Sequence, residues 1–237
     1  MVIRALYKRI GFNVPVPFGV FGGLAPYTFS VEPGGAGGSI DANGIYTSGF
    51  KKGRDTVKVV DSLGETATAE ISVLPALYLL ADIVQEYLAL PQDQVTIFNQ
   101  KSIPVSDEKV YVCVSTLPAK PYGTKNVKMI GAGLEEIISA NMFQPVDITV
   151  YGRTPDAMLA ADQVILSLVS DYSQRQQALN CFSVGKIPSS VVPLNEIEGA
   201  SIPYMANVQV NLHYIAYSRR QVEYFNPPFE KQILTNK

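Results

Sequence analysis

Two glycines, Gly131 and Gly133, follow an apolar, strand-like segment, where a phosphate-binding loop would lie. A dinucleotide site needs a third glycine three residues later, at the start of a helix, so that backbone N–H groups can approach a pyrophosphate. Glu136 occupies that position, and its carboxylate would repel a phosphate. The chain also lacks a GxxxxGK[ST] motif. We therefore predict a tight turn here and no nucleotide cofactor.

Histidine and cysteine are too few for most catalytic or metal sites. His213 is the single histidine, and Cys113 and Cys181 are far apart in the sequence. This excludes multi-histidine metal centres and CxxC sites within one subunit, and we expect two buried thiols. His213 lies on the outward-facing alternation of a strand, beside Asn211. A catalytic base is one interpretation, and a surface or interface polar residue is the favoured one.

Acidic residues occur in separate groups, namely Asp107-Glu108, Glu135-Glu136, and Glu196 with Glu198. A hard-cation site needs several oxygen ligands that converge on one point. Separate pairs are more typical of solvated or interfacial positions. We expect no metal site, no cofactor and no enzymatic activity.

The composition indicates a globular protein with a substantial core. The chain has 237 residues, 47% of them hydrophobic, and a net charge of −2, which does not indicate a broad nucleic-acid surface. No apolar stretch is long enough to predict a membrane span. The N-terminal segment lacks the apolar region of a signal peptide, and we expect it to form a strand.

Glycine content divides the chain near residues 72–77. Twelve of the 18 glycines lie in residues 1–75, so we predict one domain over residues 1–75 and another over residues 76–237. In the first, alternating segments at 27–31, 56–61 and 67–73 predict short antiparallel strands of a sandwich. Asn43-Gly44 predicts a turn between strands, and we expect GGAGG (34–38) to be a flexible link.

The string GGLAPYTFSVEPGGAGGSIDANGIYTSG, followed by GRDTVKVVDSLGETATAEISV, resembles bacterial Ig-like domains. Those repeats carry patterns such as GG-x-x-P-Y-x-[FY]-x-V and G-x-D-x-V-x-V-x-D-x-x-G. The resemblance covers roughly residues 19–74. It implies an all-β Ig-like sandwich, here without the Cys-Trp-Cys core of antibody domains because the chain has no tryptophan.

The second part predicts a mixture of helices and strands. An apolar stripe predicts a helix over 77–90, and Thr154, as N-cap, with Pro155 predicts a helix over about 155–178. We predict a proline-rich hairpin arm at 117–127. Strand patterns occupy the ranges 94–100, 109–116, 135–152 with a break near Pro145, and 207–225. This order predicts an α+β domain with a mixed or antiparallel sheet and two helices on one face.

This layout resembles phage neck and tail-terminator (tail-completion) proteins. The resemblance lies in the opening helix, in the block VDITVYGRTPDAMLAADQVILSL, and in a long closing strand with Arg219-Arg220 near its end. It covers residues 76–230 and implies a homohexameric ring with heterologous contacts. It also implies contacts with other neck, tail-tube, collar or sheath proteins, and a lumen that genomic DNA crosses without sequence-specific binding.

A ring of this kind would use interface residues, for which the candidates are Arg219, Arg220, Asp147, Tyr217 and His213. The arginines could bind a neighbour's carboxylate, a DNA phosphate, or only solvent. Asp147 could face a subunit boundary, an acidic lumen, or solvent as part of an ordinary exposed strand face. Tyr217, with Tyr214 and Tyr224, could lie in an interface or simply fill the sheet face.

The expected function is therefore a structural protein of the virion neck or tail, assembled in the host cytoplasm. The ring would cap the tail tube and join it to the neck, and the Ig-like domain would project outward. The alternative is a cell-surface adhesion module in which the Ig-like domain is a spacer. The expected lack of an export signal and of an anchor counts against that alternative.

Overall fold

The computed structural model describes residues 1–33, 35–98, 108–130, 135–185, 187, 192–193 and 204–221. Within these residues the fold is mostly β, with three α-helices and three sheets. The β-rich character predicted from the sequence is confirmed. The division into an Ig-like domain and an α+β domain stays a prediction.

Eight short strands occupy the first part of the chain. They are β1 (Val2–Ala5), β2 (Arg9–Ile10), β3 (Pro15–Phe21), β4 (Thr28–Val31), β5 (Ser39–Ile40), β6 (Ile45–Thr47), β7 (Gly53–Val60) and β8 (Thr66–Val73). They form two sheets, ordered β1-β3-β6-β5 and β2-β8-β7-β4. Val16 and Tyr46 of one sheet and Val59 and Ile71 of the other are fully buried in one core cluster. The two sheets therefore face each other across a shared core.

A buried carboxylate holds the glycine-rich loop in place. Asp55 is 1% exposed and accepts hydrogen bonds from the backbone N–H groups of Ala36 (2.6 Å) and Gly38 (2.8 Å) and from the Tyr46 hydroxyl. A Cβ on Gly35 would overlap the carbonyl oxygen of Arg54. The prediction of a flexible link is wrong for residues 35–38, because hydrogen bonds to Asp55 hold this backbone and Gly35 permits its close approach to Arg54 and Asp55.

We predict that Asp55→Asn lowers the free energy of unfolding by about 3 kcal/mol. The three hydrogen bonds to Asp55 are charge-assisted, and a buried asparagine amide cannot accept all three. Tyr46→Phe removes one donor and should cost about 1 kcal/mol. Urea unfolding measures both. The control is Glu70→Gln on the exposed side of β8, which should change stability by less than about 0.5 kcal/mol. An Asp55→Asn protein as stable as wild type would contradict the anchoring role.

The described residues of the second part form three α-helices and seven strands. These elements are α1 (Ala76–Tyr87), β9 (Val95–Ile97), β10 (Tyr111–Thr116), β11 (Lys120–Ile130), β12 (Glu135–Gly152), α2 (Asp156–Val169), α3 (Asp171–Leu179), β13 (Phe182–Val184), β14 (Val192–Pro193) and β15 (Tyr204–Gln221). The sheet order is β13-β15-β12-β10-β9, with β11 paired to β12 and β14 paired to β15. Among the described strand pairs of this sheet, only β9–β10 is parallel.

One face of this sheet forms the second core. Ile148 of β12 and Val208 and Leu212 of β15 are fully buried in one cluster with Leu80 of α1 and Val164 of α2. The buried residues of β12 and β15 in this cluster all have even numbers, as strict strand alternation requires. Helices therefore cover the even-numbered face alone.

The predicted single helix over 155–178 is two helices. Ser170 adopts an extended backbone (ψ 153°), its Oγ accepts a hydrogen bond from Ser173 N (3.1 Å), and it donates to Ser167 O (2.7 Å). Ser170 is thus the N-cap of α3, and the sheet carries three helices instead of two. The start of α2 also differs from the prediction. The Thr154 hydroxyl donates a hydrogen bond to the Asp156 carboxylate and does not cap a backbone N–H group of the helix.

Strand β12 continues through Pro145, although we predicted a break there. The Pro145 carbonyl accepts a hydrogen bond from Leu117 N (3.2 Å), so the hydrogen-bonding edge of this residue faces Leu117. At this point β10 has ended and β11 has not yet begun. Proline has no N–H group, but no carbonyl of a neighbouring strand needs a hydrogen bond from this position.

Among the described residues, an ion pair, a hydrogen bond and a cation–π contact of Lys52 with Tyr78 join the first part of the chain to the helices. Arg9 on β2 forms an ion pair with Asp82 on α1 (2.9 Å), and Gly11 N donates to Asn180 Oδ1 (2.7 Å). Burial raises the pKa of Asp82 to about 6, although Arg9 acts in the opposite direction, and the Glu86 charge adds to the rise. One buried oxygen of Asp82, Oδ2, has no hydrogen-bond partner, in keeping with this rise.

We predict a pH dependence of stability from Asp82. Its folded pKa of about 6 exceeds the ordinary 3.8, so between these values the folded state retains a proton that the unfolded state has lost. The free energy of unfolding should therefore fall as the pH rises from about 4 to about 6, by on the order of 2 kcal/mol. Asp82→Asn should flatten this part of a urea-unfolding pH series. The exposed Asp93→Asn is the control, and a slope that Asp82→Asn leaves intact would contradict the assignment.

Candidate functional site: an extended arm and a polar sheet face

Half of the β12–β15 ladder extends past the helices and, with β11, forms a three-stranded arm. We define the arm as β11 together with residues 135–143 of β12 and 213–221 of β15. β11 pairs with β12 in a hairpin whose register shifts between Tyr122 and Asn126. β12 and β15 each contain 18 residues, several times the usual strand length. Among the described residues, β11 has no second strand partner.

The arm has no core of its own. None of its described side chains is fully buried. Large apolar side chains on β11 are instead exposed, and Val127 is 57% accessible; the others are Tyr122 and Met129. Long edge strands with apolar side chains are typical of surfaces that pair with another chain. The sequence predicted a hairpin arm at 117–127 and a strand-like segment before Gly131, but it did not identify these β11 side chains as interface candidates.

Arg219 and Arg220 bind carboxylates of their own chain. Arg220 forms an ion pair with Glu136, which lies directly opposite on β12, and Arg219 bonds Glu135 diagonally through Nε (3.0 Å). These pairs close the tip of the arm across 84 positions of sequence. The predicted ion pair between these arginines and a carboxylate of a neighbouring subunit stays a prediction. The partners that the structure shows, Glu135 and Glu136, lie in the same chain.

His213 and Tyr217 contact aromatic rings within the chain. The His213 ring meets Tyr122 and Phe143 edge-on, with ring centroids 5.7 and 5.3 Å apart. Tyr217 contacts Phe50, on the loop after β6, at 4.9 Å. The His213 contacts lie within the arm, and the Phe50–Tyr217 contact joins the arm to a loop of the first part. His213 has no carboxylate or nucleophile among these contacts, so the geometry gives no support for a catalytic base.

Asp147 lies on the odd-numbered face of the sheet, which carries none of the three helices. It shares a row with Ser115 and Gln209, and Asn207 Nδ2 donates to its Oδ1 at 3.4 Å. Asp147 is half-buried and Gln209 is exposed. We call Ser115, Asp147, Thr149, Asn207, Gln209 and Asn211 the polar face. No lysine or arginine occurs in residues 111–116, 145–152 or 204–212, so the polar face is uncharged apart from Asp147.

The cysteines do not form a pair. Cys113 is buried with Tyr111 and Tyr151, whose rings stack with centroids 5.9 Å apart. Burial raises the pKa of Tyr151 to about 12, with a smaller contribution from Cys113. Cys181 is exposed and has a positive φ of 53°. The prediction of a buried thiol therefore holds for Cys113 and is wrong for Cys181, which terminates the turn after α3.

Among the residues that the structure describes, no group of three or more His, Cys, Asp or Glu side chains could hold a metal ion. Several sequence candidates lie outside the described residues, namely Gly131, Gly133, Asp107, Glu196, Glu198 and Tyr224. The sequence candidates that the structure describes lie on the arm, for Arg219, Arg220, Tyr217 and His213, and on the polar face, for Asp147.

A scan against protein-family models and a search of curated proteins found no match for this chain. In the described part of the chain, no helix has both the length and the apolarity that spanning a membrane requires.

We predict that Arg219→Glu with Arg220→Glu opens the tip of the arm, because four carboxylates would then face one another. Exposed ion pairs contribute about 1 kcal/mol, so amides near the tip should exchange about fivefold faster in hydrogen-exchange mass spectrometry. Adding Glu135→Arg and Glu136→Arg exchanges the charges and should restore protection. If the fourfold variant exchanges as fast as the double variant, the in-chain pairs do not stabilise the arm.

Proposed function

We propose that this protein is a structural subunit of a phage virion that forms a homohexameric ring at the head–tail junction. The ring caps the tail tube and joins it to the neck, next to other neck, tail-tube, collar or sheath proteins. Residues 76–237 form the ring, and residues 1–75 form an outward Ig-like domain. Function in this proposal is assembly, and no residue is assigned a catalytic role.

The arm is the observation that carries this proposal. A strand ladder of this length, without buried side chains over half its extent, contributes little to the stability of a single subunit. It exposes a strand edge and large apolar side chains, which single-chain proteins normally cover or interrupt with charges. A neighbouring subunit would bury this surface, and repetition of the contact around an axis would close a ring.

The polar face supports the position of a lumen. Duplex DNA binds surfaces through lysine and arginine contacts to phosphate. The polar face has hydroxyl and amide groups and one carboxylate, and residues 111–116, 145–152 and 204–212 contain no lysine or arginine; the same side of the sheet also carries the buried Tyr111, Cys113 and Tyr151. A channel lined in this way would let genomic DNA pass without retaining it, which is the property that a neck or terminator ring needs.

The outward position of residues 1–75 is supported by the small number of polar contacts that tie them to the helices, chiefly Arg9–Asp82 and Gly11–Asn180. The core of these residues is separate from the core under the helices. In this proposal the first part is displayed at the outside of the ring and stays joined to the sheet through these contacts and through Phe50–Tyr217.

Native mass spectrometry and negative-stain imaging of the purified protein test the proposal. We expect a closed oligomer of six subunits with a central hole. Removing the tip of the arm by joining Asn126 to Ser139 through a short glycine linker should give a folded monomer, because the shared edge is lost while both cores remain. A wild-type protein that stays monomeric at high concentration would contradict the ring.

The fourfold charge-exchange variant at the tip separates two roles of the arginines in the same assay. It keeps the in-chain ion pairs, so the arm stays closed. If Arg219 and Arg220 also bind a neighbouring subunit, this variant should stay monomeric. Rings formed as in wild type would limit the two arginines to holding the tip together.

A further inference from the structure

The outer surface of β11 is basic as well as apolar. Lys120, Lys125 and Lys128 are exposed, and β11 contains no acidic residue. The acidic side chains at the tip of the arm, Glu135 and Glu136, are already paired with arginines in the chain. Among the described residues of the arm, Lys120 and Lys125 therefore remain as charge without an acidic partner, and Lys120 lies on the same face of the sheet as the exposed Tyr122.

The outer surface of α2 has the opposite charge and the same apolar character. Leu159, Leu166 and Val169 are 63%, 54% and 48% exposed and lie along the helix face that points away from the sheet. Asp156 and Asp162 are exposed on the same helix, which contains no lysine or arginine. An exposed apolar stripe on a helix of a soluble protein indicates a contact surface.

We infer that β11 of one copy of this protein docks on the outer face of α2 of the next copy. The inference rests on the proposed ring and identifies the two surfaces that form it. Opposite charges orient the approach, with the lysines of β11 near the aspartates of α2, and the apolar side chains of both elements are buried in the contact.

The positions of the two surfaces make the contact head-to-tail. β11 is paired only to the arm portion of β12, whereas α2 packs on the even-numbered face over the helix-covered portion of β12 and β15. Each copy can therefore use both surfaces at once, one toward each neighbour. Such a heterologous contact generates a ring when its rotation closes.

Two charge-reversed proteins test the inference by mixing. The first carries Lys120→Glu and Lys125→Glu; Lys128 is kept because it faces the loops of the first part of the chain. The second carries Asp162→Lys and Gln163→Lys; Asp156 is kept because it stabilises the N-terminus of α2. All four positions are exposed, so thermal unfolding should match wild type. The control reverses Arg4 and Lys8, which are exposed near β1 and β2.

Each variant alone places like charges against each other, and we expect the dissociation constant of the oligomer to rise by about a hundredfold. An equimolar mixture makes both contacts complementary again. Native mass spectrometry should then show rings with equal numbers of the two proteins, and the control should assemble as wild type does. High salt should weaken the wild-type ring.

The other outcomes each overturn the inference. If wild type forms rings and either variant alone forms them equally well, the proposed ring is supported but β11 and α2 do not form its subunit contact. If both variants fail and the mixture also fails, the two surfaces do not meet. If wild type is monomeric, the proposed function fails together with this inference.

Discussion

The continuous pairing of β12 with β15 is the constraint on which the second part of the molecule depends. Eighteen residue pairs run in unbroken register, so the parity of each position decides which face it occupies along the whole ladder. Even positions bury Ile148 and Val208 under the helices, and odd positions place Asp147 and Gln209 on the polar face. The helix-covered core on one side of the sheet and the polar face on the other therefore both result from the register of β12 with β15.

The first part of the chain depends on a local constraint of a different kind. Its strands are short, and a buried carboxylate on β7 ties the glycine-rich loop to the tyrosine of the opposite sheet. Gly35 is required because the backbone approaches Arg54 and Asp55 closely there. The part is thus organised around one polar centre inside an apolar core, whereas the second part is organised by strand length.

Sequence patterns predicted the elements well where alternation or helical periodicity extended over several turns or pairs. The alternation of Val146, Ile148 and Val150 and the stripe on α1 are examples, because local spacing alone decides them. The division at Ser170 was missed because its flanking apolar residues keep a helical period through the break. Only the cap geometry shows that the chain turns there.

The partners of the candidate site residues could not be predicted in the same way. Arg219 and Glu135 are distant in sequence and meet only through the cross-strand register, which no local pattern encodes. Cys181 looked like a core thiol because its neighbours are apolar, but it follows α3 at a positive φ that turns it toward solvent. The exposure of Leu159 and Leu166 was not predicted. In a helix rich in apolar residues, the sequence does not show which of them are solvent-exposed.

The β12–β15 ladder also has a consequence for the order of events during synthesis and folding. Helices and the β11–β12 hairpin involve near neighbours and can form quickly, but the ladder joins residues as far apart as Glu135 and Gln221. Pairings of such long sequence separation close large loops and are slow to form. Until β15 has been synthesised and has paired with β12, the side chains of β12 are not arranged on the two faces of the complete sheet. The polar face and the paired arm therefore form only when folding of the chain is complete.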